Sequence, residues 1–190
     1  MPADGMQWWH IIVSTHNSWL PGDKRGFRSR GHKIHSSGDY KKPPPIEEHA
    51  GLWAYHQQRS NGPVIIPENQ YEVVGKAILV KLKKLGYRVL ALSVSATHSH
   101  WLVELPDDLK QAKLIAGQCK TVSSHAIRAD VPGRVWASGG SFIRIKERSH
   151  QLNAYRYILN QKDAWTWDYA KEEKAEEETN DNQQSEEAQG

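Results

Sequence analysis

The sequence predicts an α+β domain with a ferredoxin-like (split βαβ, RRM-like) antiparallel sheet and helices packed on it. The elements run strand, loop, helix, strand, strand, helix, strand, helix. The two middle strands are joined by a tight turn and flanked by helices, the order of a split βαβ unit. Helical periodicity at 67–85, 108–129 and 149–162 argues against an all-β barrel and puts helices against the sheet, expected on one face.

Residues 7–15 (QWWHIIVST) are aromatic and β-branched, which predicts a strand. Residues 16–45 hold Pro21-Gly22, Gly26, Gly31, Gly38 and three consecutive prolines, so they form a long loop or insertion. A short helix is expected over 46–59. Residues 67–85 make a firmer one: Pro67 suits a first helical position, Val73, Val74, Ala77, Ile78 and Leu82 recur at helical spacing, and Gly86 stands where a C-cap belongs. Residues 87–96 and 98–105 read as strands, and Pro106-Asp107 closes the second before a helix over 108–129. Residues 141–146 (SFIRIK) alternate as a strand, and 149–162 form the last helix. The domain is expected to span 1–165. Residues 166–190 form a tail, whose Glu-, Gln- and Asn-rich part from 171 onward lacks apolar periodicity and is expected to be disordered.

Composition narrows the function classes. The chain has 190 residues and one cysteine, Cys119, which excludes a disulfide framework and multi-cysteine zinc sites. No apolar run suits a membrane span and the first residues do not resemble a signal peptide, so a cytoplasmic protein is expected. Residues 171–190 carry a net charge of −6, leaving +9 on the rest. A basic body with an acidic tail points to a polyanionic partner or, more blandly, to a solvated surface.

Two groups of residues carry chemistry. His98 and His100 are two apart on a strand, so both imidazoles leave one face, about 7 Å apart along the chain. Such a pair can chelate a divalent metal, although ten histidines make a chance H-x-H an open alternative. On the last helix Tyr157 and Gln161 are four apart and share a face, while Tyr155 points about 200° away. A tyrosine hydroxyl can act as a covalent nucleophile and a carboxamide oxygen can ligate Mg²⁺ or Mn²⁺. Against this stands a tyrosine half-buried against the sheet.

The strand ATHSHWLVEL, the segment VWASGGSFIRIKERSHQ and the helix NAYRYILNQ together resemble the single-tyrosine HUH transposases. These are the transposases of the IS-two-hundred-like insertion sequences and the REP-associated tyrosine transposases. The resemblance covers residues 7–165. It implies His98, His100 and Gln161 as ligands of Mg²⁺ or Mn²⁺ and Tyr157 as nucleophile. It also implies single-stranded or hairpin DNA as substrate, cleaved and rejoined through a 5′-phosphotyrosine link. Homodimers are common in the family, some placing the tyrosine helix across the dimer. Ser99 departs from the pattern, since the family prefers an apolar residue between the histidines.

Lys24, Arg25, Arg28 and Arg30 in the loop, and Arg144, Lys146 and Arg148 near the last helix, are candidate phosphate contacts. The last three are expected to share one face near the site. Trp19, in a polar loop, is the candidate for stacking on an unpaired base; Trp8, Trp9, Trp53 and Trp101 are candidates for stacking or for the core. Glu104 continues the histidine face as a candidate support for the ligands, and His10 on the first strand can line the same face. Two other classes compete: a non-catalytic binder of single-stranded or hairpin nucleic acid, and a cupin-type metal oxygenase, which the helices disfavour.

Overall fold

The computed structural model describes residues 2–27, 36–37, 42, 44–45 and 47–173. In chain order the elements are β1 (Met6–Ser14), α1 (Ala50–Arg59), α2 (Tyr71–Lys84), β2 (Val89–Ser95), β3 (His98–Pro106), α3 (Leu109–Ala126), β4 (Ser141–Arg144), α4 (Arg148–Leu159) and β5 (Ala164–Asp168). The strands form one sheet in the order β4-β1-β3-β2-β5, with every neighbouring pair antiparallel. The first four strands with α2 and α3 are the split βαβ arrangement predicted; α4 and β5 are added to it.

Alternation along the strands builds two cores. On one face Trp9, Ile11, Val13, Leu92, Val94, Trp101, Val103 and Leu105 pack under the apolar stripes of α2 (Val74, Ile78, Leu82) and α3 (Ala112, Ile115, Ala116, Cys119). On the other, Trp8, Ala91, Leu102 and Ile145 meet Ala154 and Ile158 of α4. The expectation of helices on one face is therefore corrected. The central strands are apolar at both parities, so both faces need a cover.

The helix ends follow local chemistry. Asp108 caps α3, its carboxylate accepting from Lys110 N at 2.7 Å. Pro67 stands before a single 3₁₀ turn (Glu68–Gln70) that leads into α2. Gly86, at φ +80°, closes α2, with Tyr87 N donating to Leu82 O at 3.0 Å. The short α1 has no buried residue. The loop before it comes so close at Gly22 (φ +88°) that a Cβ there would lie 2.5 Å from Trp53 N.

β5 corrects the expected tail boundary after residue 165. Asp163, at φ +50°, turns the chain out of α4, and Ala164–Asp168 pairs with Ser95–Ala91. Trp165 packs on α2 at Gly75, where a Cβ would meet its ring at 2.0 Å. The Trp-Thr-Trp alternation of 165–167 was the available strand signal. The tail from 174 onward lies outside the described residues. No helix among the described residues is long and apolar enough to cross a membrane.

Candidate functional site

β3 is the middle strand, and its two histidines leave the face that α4 partly covers. His98 and His100 have ring centroids 4.9 Å apart with planes nearly perpendicular, so the rings lean toward each other. Ser99 leaves the opposite face and is fully buried. Its hydroxyl donates to Ser93 O at 2.6 Å and accepts from the indole N–H of Trp101 at 2.7 Å. The polar residue between the histidines thus satisfies the indole of a fully buried tryptophan, a partner that an apolar side chain cannot supply.

α4 brings Tyr157 onto the same place. Its ring lies 5.3 Å from that of His100 and 6.0 Å from that of His10, edge-on to both. Tyr157 is 53% exposed, which leaves room for a second molecule to approach. Tyr155 is occupied differently. Its hydroxyl donates to Asp168 Oδ1 at 2.5 Å, and burial with that hydrogen bond and the Asp168 charge pushes its pKa up to about 12. That bond ties α4 to β5 and keeps Tyr155 protonated.

Gln161 lies just past α4, which ends at Leu159 rather than at residue 162. The helix expected under Gln161 is replaced by the turn that feeds β5. The side chain still returns to the site, because Gln161 Nε2 donates to the end carbonyl of Tyr157 at 3.1 Å. That bond sets the amide orientation, and Gln161 Oε1 lies 3.4 Å from His98 Nε2.

His98, His100, Gln161 and Tyr157 are therefore gathered at one place by β3, α4 and the turn after it. His10 joins them from β1: its Nε2 lies 3.1 Å from His100 Nδ1. The sequence places it as able to line this face, and the register of β1 on β3, with His10 opposite Leu102, brings it there.

Burial, reinforced by the His98 and His10 charges, lowers the pKa of His100 to about 3. Burial and the His150 charge lower that of His10 to about 4. Both rings are neutral near pH 7, the form that can ligate a metal. Ser95 Oγ donates to His98 O at 3.1 Å and lies 3.1 Å from His98 Nδ1, so it can accept that nitrogen's proton. With that proton on Nδ1, His98 Nε2 presents a lone pair toward the amide oxygen of Gln161. Two acceptors facing one space fit a cation between them. Among the described residues no three His, Cys, Asp or Glu side chains group as a metal cage. The donor set is instead two imidazoles and one carboxamide, which can hold a divalent cation and leave coordination positions open; the choice of Mg²⁺ or Mn²⁺ is what the sequence resemblance implies.

The candidate DNA contacts are scattered. Arg144 pairs opposite Trp9, on the face away from the histidines, with its guanidinium over that ring at 5.0 Å and 2.8 Å from Asp107 Oδ1. β4 stops at Arg144, and Arg148 opens α4, donating to Gln151 Oε1 at 2.6 Å. The expected strip of Arg144, Lys146 and Arg148 on one face near the site is thus corrected. Arg25 is held by Asp23 at 2.5 Å and lies over the Trp19 ring at 4.3 Å, while Trp19 Nε1 donates to Gly26 O at 2.7 Å. These contacts fold the loop on itself and leave Trp19 half-exposed. Lys24 lines a cleft with Trp53 between that loop and α1. Arg28 and Arg30 lie outside the described residues. Trp8, Trp9 and Trp101 are buried and cannot stack on a base.

Glu104 does not support the metal ligands. It is buried at the far end of β3, held by Arg88 (Nη2 to Oε1, 2.7 Å) and by Ala3 N at 2.6 Å. The hydrogen bond from Arg88 outweighs burial and keeps its carboxyl below the usual range.

The chain matches no family model and no curated protein. Among solved structures it is similar to a REP-associated tyrosine transposase bound to a REP hairpin. The likeness spans 83% of this chain and 67% of that one, at 16% identity and a TM-score of 0.45.

Proposed function

We propose that the chain cleaves and rejoins single-stranded or hairpin DNA through Tyr157, assisted by Mg²⁺ or Mn²⁺ at His98, His100 and Gln161. One observation carries the reading: a half-exposed tyrosine stands edge-on to the neutral imidazole of His100, which converges with the ring of His98 and through it with the carboxamide oxygen of Gln161, the set that the sequence resemblance selects. The Tyr157 phenol, on losing its proton, attacks the phosphorus of a phosphodiester. A tyrosyl O–P bond forms, the P–O3′ bond breaks, and the 3′ oxygen leaves and takes a proton. Rejoining is the reverse, with a 3′ hydroxyl attacking the phosphotyrosine and the phenol leaving. When bound, the cation polarises a non-bridging phosphate oxygen and offsets charge in the transition state. The chain itself fixes the attacking hydroxyl through α4, holds the His100 imidazole neutral by burial and aims the amide oxygen from the helix end. Tyr155, bound to Asp168, is kept out of the reaction.

The test is incubation with labelled single-stranded DNA from the flanks of the gene, with and without Mn²⁺. A DNA–protein band that survives denaturation, needs the cation and disappears in Tyr157→Phe supports the reading. DNA retained only under native conditions, equally by wild type and Tyr157→Phe, replaces it with a non-catalytic binder.

A further inference from the structure

We infer that His10 is a positioning residue: its Nε2 accepts the Nδ1–H of His100 and so turns the lone pair of His100 Nε2 toward the cation. This rests on the metal site proposed above and adds a residue to it.

A neutral imidazole has one N–H and one lone pair, so the 3.1 Å contact between His10 Nε2 and His100 Nδ1 holds one proton and has two forms. If His10 donates, His100 must carry its own proton on Nε2, on the side facing the cation, and cannot ligate. If His100 donates, its Nε2 is bare. Only the second form is compatible with a metal, and it requires a hydrogen-bond acceptor where His10 stands. Metal-bound histidines commonly donate their second ring N–H to such a partner, which fixes both tautomer and ring angle.

The placement of His10 suits that task. The residue is 7% exposed, and its ring is tilted 33° from that of His100 with centroids 5.3 Å apart. It is carried by β1, whose long antiparallel pairing with β3 sets its distance to His100. His98 has a matching acceptor in Ser95 Oγ at its own Nδ1, so both ligand rings are backed in the same way.

The experiment has two readouts. In metal-free wild-type protein, long-range ¹H–¹⁵N NMR reads the His100 tautomer. The Nδ1–H form is expected, and a dominant Nε2–H form overturns the inference. Calorimetric titration with Mn²⁺ then compares wild type, His10→Phe, which keeps a flat ring without an acceptor, and His10→Gln, which restores a carboxamide oxygen. His10→Phe is expected to bind Mn²⁺ about 10–100-fold more weakly, with His10→Gln recovering most of the loss. Mn²⁺ binding by His10→Phe equal to wild type overturns the inference and leaves the metal site standing. Absence of Mn²⁺ binding in wild type overturns both.

Discussion

Ser99 and Tyr155 lie beside the proposed ligands and nucleophile in sequence, and both are committed to the scaffold. Ser99→Ala removes the acceptor of a fully buried indole N–H. It is expected to cost about 1–3 kcal/mol, read as a lower urea midpoint, while the DNA adduct still forms. Tyr155→Phe leaves Asp168 without its phenol donor and is expected to lower stability by about 1–3 kcal/mol with the adduct retained. Tyr157→Phe should do the opposite, keeping the unfolding midpoint within about 0.5 kcal/mol and abolishing the denaturation-resistant band. Adduct formation by Tyr157→Phe at the wild-type level would assign the nucleophile elsewhere. At this scale much of the site was legible. The period of a strand puts His98 and His100 on one face, and helical spacing separates Tyr157 from Tyr155. That His10 can line the same face was legible from its strand, but its contact with His100, 90 positions away, is made only by strand register. Ser99 was visible only as a departure from the family pattern, because the indole it serves behind the strand is a tertiary fact.

Helix α4 and strand β5 act as one attachment. The turn at Asp163 joins them, Tyr155–Asp168 ties them, and Trp165 seats β5 on Gly75 of α2. Gly75→Ala drives a methyl group into the Trp165 ring from a helix that cannot yield. It is expected to destabilise by about 1–3 kcal/mol, although alanine is the better helix former. Because β5 leads back to the turn that holds Gln161, Mn²⁺ affinity should fall as well, which titration would show. An unchanged unfolding midpoint would mean that Trp165 rearranges freely. The elements of the split βαβ unit were readable from periodicity, turn residues and caps. β5 was overlooked because five residues beside a charged tail give a short signal. The second helical layer was overlooked because alternation along β1 and β3 shows apolar residues at both parities without saying which helix covers them.

For the whole molecule, acidification should act earlier than carboxylate titration alone predicts. In the unfolded chain His10 and His100 take up protons near 6.5, whereas in the metal-free fold they resist to about 4 and about 3. Between those limits the unfolded state binds more protons, so stability present above pH 6.5 is lost as pH falls. Glu104, held below its ordinary 4.5 by Arg88, adds its loss lower in the same direction. Urea midpoints of chelator-treated protein should therefore decline steadily from pH 6.5 to 4.5, and a flat profile there would contradict the burial of these rings. Excess Mn²⁺ should stabilise at pH 7, by about 2.7 kcal/mol at 100 times its dissociation constant. One last consequence follows from the edge-on stacking of Tyr157 on His100. Tyr157 and the His100 ring it meets belong to one polypeptide, so in the proposed site nucleophile and ligands come from a single chain. Mixing a tyrosine-dead variant with a histidine-dead variant should not rescue turnover, since no blend of two broken copies reconstitutes an intact set.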